Sequence, residues 1–353
     1  MFTNCLLECY DARMVMSSAP SPGEVSSALR QRLAGRFPGE VADIEVPVRI
    51  VGGFDFWIYG LHFGGPGLPA QWAVPLIARI PAGPGRFVLL EQESRMQAWV
   101  AAQGYPAPPL LELVPPGELF ESPVQVMRRQ AGTTMADAMA AAPWHILRFA
   151  RQLAACQAAL HRVPVPAWAG TGPEWSLADK RLLLTRYLVA NGSHSGLAEA
   201  LERTERILPL LKVPEPVICH GDFHARNLLM DATTVSVIDW TDAGIGDRHG
   251  DIARTAWLPR FAAVAATHQR QRLVRLAWAP ALSRAYLSSY RRDLPVDAAR
   301  LRLWMPLQFL HAWAGAVADE QELIGPSRAG HDFRAGLATW AQKQFWRHIE
   351  DLP

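Results

Sequence analysis

The sequence predicts an α+β fold with two lobes, an antiparallel-sheet N-terminal lobe and a mainly helical C-terminal lobe. In the first 130 residues, short β-branched and aromatic runs alternate with glycine and proline turns. Beyond Gly132, long amphipathic patterns dominate, and an island of short apolar runs and polar loops at 217–251 interrupts them. This segregation of strands and helices is typical of α+β architectures.

Length and composition describe a folded protein with a large core. The chain has 353 residues, of which 50% are hydrophobic and 19% are charged. At roughly 150 residues per domain, this length suggests two folding units. The 35 basic and 33 acidic residues leave a formal charge of +2, which is too balanced for nucleic-acid binding, so we expect no nucleic-acid partner. No apolar run approaches the roughly 20 residues of a membrane span, so we expect no membrane segment.

Cysteine usage and the N-terminus favour a cytoplasmic protein. The four cysteines are too few and too scattered for a disulfide framework or a closed zinc site. The N-terminus lacks the basic and apolar regions of a signal peptide. Residues 1–22, which end in a Ser/Pro-rich stretch, are predicted to form a flexible extension. The sequence leaves the oligomeric state open.

Residues 23–127 form the predicted N-terminal lobe, a sheet that carries one long helix. The strands are rich in β-branched and aromatic residues, and the first two are separated by a turn at Gly52 and Gly53. The long helix is predicted from apolar side chains on one face and is stopped by Gly104 and two prolines. The predicted elements are a short helix at 25–33, strands within 46–61, at 76–80 and at 123–127, and the long helix at 90–103.

Residues 128–132 are predicted to form a hinge, and residues 133–353 a helical lobe. Amphipathic patterns predict helices at 144–161, 177–189 and 197–211, and helices return after residue 251. Within the island, two short apolar runs, 228–230 and 235–238, flank a set of turn residues. This pattern predicts a β-hairpin.

Three polar residues of the island indicate metal-assisted phosphoryl transfer. Asp222 follows a glycine on a predicted loop, Asn227 comes five residues later, and Asp239 stands at the end of the hairpin. Folding the hairpin back brings Asn227 and Asp239 together, and their oxygens suit a hard cation such as Mg²⁺. Asp222 is then free to orient or deprotonate a hydroxyl. This order of residues is the constellation of kinase-type phosphoryl transfer.

A resemblance to a known family rests on three motifs, which are His220-Gly221-Asp222 with Asn227, Ile238-Asp239-Trp240, and Asp251. Together they resemble the aminoglycoside phosphotransferase and choline kinase-like family, small-molecule kinases that are distantly related to protein kinases. The resemblance implies a protein-kinase-like fold, with ATP or GTP as the phosphate donor. It also implies that Asp222 is the catalytic base and that Asn227 and Asp239 bind Mg²⁺. Asp251 matches a carboxylate that braces the C-terminal lobe.

The resemblance also assigns nucleotide-binding positions in the N-terminal lobe. Gly52 and Gly53 fall where the family has its nucleotide-covering turn, which can offer backbone N–H groups to phosphates. Met127, Arg128 and Gln130 belong to a segment that resembles the hinge that receives the nucleobase.

The basic residue expected to hold the phosphates departs from the usual pattern. No lysine precedes Lys180, so the usual strand lysine cannot be present. Arg79, at the end of a predicted strand, resembles the arginine that many members of the wider family carry there, and Glu93 matches the helix glutamate that pairs with it. Because a guanidinium is a planar fork and an ammonium a point charge, Arg79 is expected to bridge phosphates and Glu93 less flexibly than lysine.

The sequence leaves the roles of some residues in this loop open between two interpretations. Arg226 lies between the predicted base and a metal ligand, where it is either a catalytic contact to the γ-phosphate or a member of a surface ion pair. His224 either approaches the acceptor or is a solvated loop residue. Cys219 is most simply a small core residue.

These residues predict a Mg²⁺-dependent phosphotransferase that moves the γ-phosphate of ATP or GTP to a hydroxyl of a small molecule. From residue 297 onwards, acids outnumber bases by only seven to six and aromatic residues are frequent. This composition favours a neutral or partly apolar alcohol over a polycation as acceptor. The alternatives are a non-catalytic nucleotide-binding regulatory protein with a kinase-like fold, a protein kinase, and a true aminoglycoside or macrolide resistance kinase.

Overall fold

The computed structural model describes residues 19–50, 56–81, 87–169, 175–192, 195–231, 234–264, 269–320, 331–350 and 352. These residues fall into two compact units. The sheet unit contains the described residues up to Gly132 together with the segment Leu229–Thr241. The helical unit contains the described residues of Thr133–Leu228 and Asp242–Pro353.

The secondary structure changes from mainly strand to mainly helix along the chain. The helices are α1 (Pro22–Arg36), α2 (Phe87–Ala102), α3 (Met135–Ala141), α4 (Ile146–Leu160), α5 (Leu177–Ala190), α6 (Ser195–Leu211), α7 (Arg248–Val264), α8 (Gln269–Asp293), α9 (Ala298–Glu320) and α10 (His331–Ile349). The strands are β1 (Ala42–Asp43), β2 (Val48–Ile50), β3 (Phe56–Gly64), β4 (Pro75–Pro81), β5 (Leu110–Val114), β6 (Val124–Arg128), β7 (Thr133–Thr134), β8 (Val217–Cys219), β9 (Leu228–Met230), β10 (Val235–Val237) and β11 (Gly244–Gly246).

The sheet of the sheet unit places Arg79 on the face opposite its hydrophobic core. Its strands follow the order β1-β3-β4-β6-β5, with β2 also on β3, and every pair is antiparallel. Tyr59 pairs with Ala78, and both are buried in the cluster that includes the apolar side chains of α1. Because side chains alternate along a strand, the neighbouring pair of Ile58 and Arg79 faces the other way. On that side Arg79 meets Glu93 of α2.

The hairpin formed by β9 and β10 is fixed to earlier residues of the sheet unit. The backbone N–H of Val237 donates to the Pro106 carbonyl at 2.7 Å. Gly132 has a φ of +104°, and a Cβ at this position would lie 2.1 Å from the Met230 carbonyl oxygen. Only glycine fits this close approach without strain. These contacts hold the segment that ends in Asp239.

The helical unit is organised around α9, which packs against α5, α6, α7 and α10. Trp304 and Trp313 of this helix are buried in the core. Gly250 allows α7 to approach α9 closely, because a Cβ at this position would lie 2.7 Å from the Trp304 ring. In the same unit β8 pairs with β11, with Cys219 opposite Gly244. The loop that follows β8 carries Asp222.

The fold class predicted from the sequence is confirmed, since an antiparallel-sheet N-terminal part precedes a mostly helical C-terminal part. The predicted helices and the hairpin lie within a few residues of the observed ones. The sequence interpretation did not identify β1, β5, β8 or β11. Gly52, Gly53 and residues 1–18 lie outside the described residues. Among the helices that are described, none has the length and apolar content needed to cross a membrane.

Candidate active site

The loop that carries Asp222 is held by a glycine turn and a buried carboxylate. Gly221 has a φ of +81°, and a Cβ there would lie 2.2 Å from the Asp242 carbonyl oxygen, so the turn requires glycine. Asp251, at the start of α7, accepts hydrogen bonds from the backbone N–H of His220 at 3.0 Å and of Gly221 at 2.7 Å. Asp251 therefore fixes the backbone immediately before Asp222.

Asp251 is itself held by a buried hydrogen-bond chain. His161 Nε2 lies 3.1 Å from Asp251 Oδ2, and His161 Nδ1 lies 2.6 Å from the Tyr290 hydroxyl. Burial alone would raise the pKa of Asp251, but its hydrogen bond and charge interaction with His161 lower it to about 2. The ligating atoms of His161, Cys219 and Asp251 lie within 4.8 Å of one another. Because the histidine nitrogens and carboxylate oxygens already have protein partners, we assign this cluster a structural role.

Asp251→Asn is expected to destabilise the fold by about 3 kcal/mol or more, because it removes one partner of a buried charged network. The lowered pKa means that ionised Asp251 contributes stability above about pH 4, and that this contribution disappears as the pH falls towards 2. Denaturant unfolding at several pH values measures the effect, and the exposed Asp293→Asn serves as the control. An Asp251→Asn protein as stable as the Asp293→Asn control at pH 7 would contradict the assignment.

Asp222 is an ionised and partly exposed carboxylate. Its Oδ1 accepts hydrogen bonds from Arg254 Nε at 3.0 Å and Nη2 at 2.9 Å, and its Oδ2 lies 3.2 Å from His224 Nε2. Burial alone would raise the pKa of Asp222, but Arg254 and His224 hold the pKa of this carboxyl well below its usual range. The side chain remains 26% exposed. Asp222 is therefore suited to accept a hydrogen bond from a hydroxyl and to orient it, more than to remove its proton early.

Asn227 is oriented by the loop that it stabilises. Its Nδ2 donates to the Asp222 carbonyl at 3.0 Å, and its backbone N–H donates to the His224 carbonyl at 2.9 Å. This leaves the amide oxygen as the group that can ligate a cation. Arg226 is exposed, and in the described part of the chain no carboxylate lies within salt-bridge distance of it. The sequence alternative of a surface ion pair is thus not seen there.

In the sheet unit, Arg79 joins a second set of polar residues. Its guanidinium donates to Glu93 and, at 2.9 Å, to Gln125 Oε1, and it lies 3.6 Å from Asp239 Oδ1. The guanidinium also lies over the Phe56 ring at 4.1 Å, a distance that allows a cation–π interaction. Burial raises the pKa of Glu93, and Arg79 partly offsets that effect. The predicted pairing of Arg79 with Glu93 is present in the structure.

Asp239 occupies an unusual backbone conformation. Its φ is +66°, the only positive φ at a described residue other than glycine. Its side chain is 49% exposed, and the Thr241 hydroxyl lies 2.9 Å from Asp239 Oδ1 and 3.0 Å from Glu93 Oε2. Residues in sparsely populated backbone regions cluster at functional sites. Asp239 thus presents a carboxylate that retains access to solvent.

The predicted hinge residues lie at the end of β6 and just beyond it. Arg128 donates its backbone N–H to the Pro109 carbonyl at 3.0 Å and accepts from Gln130 Nε2 at 3.2 Å. Gln130 Oε1 accepts from the Ser236 hydroxyl at 2.9 Å. Met127 is buried. These contacts fix the segment on which the nucleobase was predicted to bind.

Sequence reasoning missed Arg254, Arg181 and Thr241. Arg254 lies three residues after Asp251 on α7, so helical spacing places both on one face towards the loop. Arg181 of α5 donates to Asp242 Oδ2 at 3.0 Å, next to the carbonyl that packs on Gly221. Neither arginine follows a local motif, because each contact depends on how helices pack.

Comparison with known proteins identifies the family. The chain matches the sequence profile of the phosphotransferase enzyme family (APH) over residues 52–312. The chain belongs to this family. This family consists of phosphotransferase enzymes, which is the class of enzyme that the motifs around Asp222 predicted.

One curated relative and several solved structures show how far the similarity extends. An aminoglycoside 3'-phosphotransferase of Escherichia coli is 47% identical over 53 residues, which is 15% of this chain and only 19% of the relative. The apo structure of a thermostable mutant of aminoglycoside phosphotransferase APH(4)-Ia is 18% identical, with a TM-score of 0.59, over 92% of this chain and 98% of that one. A putative aminoglycoside phosphotransferase from Ralstonia eutropha is 14% identical, with a TM-score of 0.60, over 94% and 98%. The amicoumacin kinase hAmiN is 12% identical, with a TM-score of 0.58, over 85% and 88%.

At these identities the structural similarity concerns the fold alone. The kinase-like fold and the family resemblance inferred from the sequence are confirmed. The roles of individual residues remain predictions.

Proposed function

We propose that the protein transfers the γ-phosphate of ATP or GTP to a hydroxyl of a small, neutral or weakly charged and partly apolar alcohol, and that the reaction requires Mg²⁺. The observation that carries this proposal is the state of Asp222. This carboxylate is ionised, partly exposed, and placed on a rigid loop where one oxygen is held by Arg254. Such a group can orient an acceptor hydroxyl for attack.

The protein contributes mainly by positioning the reactants and stabilising charge, since phosphoryl transfer needs no covalent enzyme intermediate. Asp222 accepts a hydrogen bond from the acceptor hydroxyl and receives its proton late in the reaction. Arg254 keeps the carboxylate ionised and fixes its plane through two hydrogen bonds. Exposed Arg226 is the candidate for a contact to the γ-phosphate.

The oxygen ligands present fit a magnesium ion. Asn227 has its amide nitrogen engaged and its oxygen available, and Asp239 offers a half-exposed carboxylate. Mg²⁺ prefers oxygen ligands of this kind and retains waters. When bound, the ion would neutralise charge on the nucleotide phosphates.

Nucleotide binding is assigned to the sheet unit. Arg79 would contact the phosphates while paired with Glu93, and Met127, Arg128 and Gln130 would receive the base. Gly52 and Gly53, which lie outside the described residues, keep their predicted role of covering the phosphates. An ATP-type donor is supported by the solved relatives, because APH(4)-Ia was crystallised with AMP-PNP and hygromycin B and hAmiN with AMP-PNP.

Arg79→Ala is expected to weaken nucleotide binding and kcat/KM by about tenfold or more, the size expected for losing hydrogen bonds to a charged group. The fold should survive, because burial already raises the pKa of Glu93, which can take up a proton when its partner is lost. Arg79→Lys should recover only part of the activity, since the forked geometry is lost. Steady-state kinetics and nucleotide titration test this, with exposed Arg36→Ala as the control. A fully active Arg79→Ala protein would refute the role.

The proposed acceptor is consistent with an aromatic cluster beside Arg254. Its guanidinium lies 5.2 Å from the centre of the Trp257 ring, and that ring packs with Phe309 and Trp340 at 5.4 and 6.0 Å. Trp257 and Phe309 are themselves buried, as are Trp304, Trp313 and Phe345, whereas Trp340 is half-buried. Within this cluster Trp340 is therefore the ring that could contact a ligand, and aromatic rings favour ligands with an apolar face.

Assays of nucleotide diphosphate release test the acceptor. We expect turnover with partly apolar alcohols and poor turnover with kanamycin-like aminoglycosides, because the near balance of seven acids and six bases from residue 297 onwards offers a polycation little attraction. Efficient phosphorylation confined to aminoglycosides would overturn this prediction.

The same assays distinguish the proposed function from two alternative functions. An aminoglycoside resistance kinase is favoured by the named substrates of the relatives, above all hygromycin B. A non-catalytic nucleotide-binding protein would show a nucleotide-dependent thermal shift and no turnover with any acceptor.

A further inference from the structure

A second charged cluster surrounds the Asp222–Arg254 pair inside the helical unit. Arg181 of α5 and His311 of α9 converge there with Asp242, because α9 packs against both α5 and α7. Arg181 Nη1 donates to Asp242 Oδ2 at 3.0 Å. Arg181 is close enough to lower the pKa of Asp222 by its charge. The cluster therefore adjoins the proposed base.

Arg181 has hydrogen-bonding capacity that the described protein does not use. Its side chain is only 2% exposed, and its Nε and Nη2 atoms are buried without a hydrogen-bond partner among the described residues. Burying the donors of a charged group without partners is energetically unfavourable. Nε and Nη2 form one edge of the guanidinium fork, the edge that matches the two oxygens of a carboxylate. The buried edge thus has the geometry of a receptor for an oxyanion.

His311 adds a second unused polar atom without adding charge. Its Nδ1 is buried and also has no hydrogen-bond partner in the described part of the chain. Burial, together with the charges of Arg181 and Arg254, lowers the pKa of His311 to about 3. The imidazole is neutral at pH 7, so it can donate or accept a hydrogen bond according to its tautomer.

The cluster leaves buried donors without acceptors, although its two arginines and two carboxylates balance in charge. Asp222 already accepts from Arg254, and Asp242 already accepts from Arg181. The two carboxylates are 26% and 41% exposed, so the cluster reaches solvent beside the base. A ligand oxygen that entered there would satisfy donors that the described residues leave unpaired, whereas an ammonium group has no acceptor to offer those donors.

We propose that Arg181, assisted by His311, forms a subsite for a carboxylate group of the acceptor, so that the substrate is a hydroxy acid with an apolar body. This inference rests on the proposed function. It narrows the proposed acceptor from weakly charged, partly apolar alcohols in general to hydroxy acids. The carboxylate binds the free edge of Arg181, and the hydroxyl is presented to Asp222. Arg181 and His311 are specificity-determining residues, and neither takes part in the phosphoryl transfer itself.

Matched acceptors test the subsite through turnover. Mandelate and lactate are compared with mandelamide and lactamide, which differ only by replacing the carboxylate. The wild type is expected to prefer the acids in kcat/KM by at least about tenfold, the size of one charge-assisted hydrogen bond. Arg181→Met should lose this preference, Arg181→Lys should keep part of it, and the KM for the nucleotide should not change. Arg186→Met, a change of a salt-bridged arginine on the same helix, is the control and should behave like the wild type.

Calorimetric titration with mandelate and lactate tests the subsite independently of turnover. The wild type and Arg186→Met should bind the acids, while Arg181→Met should bind them at least about tenfold more weakly and His311→Asn less well than the wild type. Absence of binding to the wild type would mean that the unpaired atoms hold only buried water, and would overturn the inference. Arg181-dependent binding without phosphate transfer would support the subsite and count against the proposed function. Phosphate transfer at equal rates to acids and amides would support the proposed function and contradict the carboxylate subsite.

Discussion

Asp222→Asn is expected to lower kcat by at least about a hundredfold while nucleotide affinity stays close to that of the wild type. The asparagine keeps the size of the side chain but loses the charge, and its amide cannot receive a proton. Arg254, which donates to Asp222 Oδ1 through two nitrogens, also loses its ionic partner, so the acceptor hydroxyl is no longer oriented. Single-turnover kinetics and nucleotide titration measure the two effects separately.

The control for this substitution is Asp293→Asn, which removes a carboxylate from an exposed position at the end of α8. It should leave both parameters unchanged. An equal loss of nucleotide affinity and turnover in Asp222→Asn would instead make Asp222 a metal ligand or a fold element.

Asp239→Ala is expected to raise the Mg²⁺ concentration needed for activity and to weaken nucleotide binding, with a fall in turnover of about a hundredfold. The physical reason is the loss of a charged oxygen ligand. Asp239→Asn is the matched variant, because asparagine also tolerates the positive φ of this position while it removes the charge. Alanine tolerates that backbone less well, so it should cost about 1 kcal/mol of additional stability.

Titration of activity with Mg²⁺ for the three proteins separates these contributions. Both variants should require more Mg²⁺ than the wild type, and only Asp239→Ala should also melt measurably earlier. If both variants showed the same Mg²⁺ dependence as the wild type, the assignment of Asp239 as a metal ligand would be wrong.

The parts of the site that the sequence predicted are those set by local spacing. Asp222, Asn227 and Asp239 lie on one loop and one hairpin, whose turn residues and apolar runs are readable without tertiary information. Arg79 could be identified because it is the only basic residue of its predicted strand, in a chain with no lysine before Lys180. Its contact with Glu93 was implied by the family resemblance.

The parts that the sequence did not predict depend on long-range packing. Strands β8 and β11 are three residues each and are defined mainly by pairing with each other. Strand β5 contains a register shift between Leu110 and Glu112, which obscures its alternation. Arg254 reaches Asp222 from α7 and Arg181 reaches Asp242 from α5, and both helices are packed against α9. No local pattern distinguishes them from surface arginines.

In the proposed reaction, Asp222 directs phosphate from a nucleotide to the hydroxyl of a small molecule. Phosphorus NMR of reactions that contain ATP, Mg²⁺ and a panel of alcohols, hydroxy acids and aminoglycosides tests it most directly. We expect the phosphate monoester resonance of a partly apolar alcohol with the wild-type protein, and almost none with Asp222→Asn at equal nucleotide occupancy. No monoester with any acceptor although the nucleotide binds, or equal monoester formation by the two proteins, would contradict it.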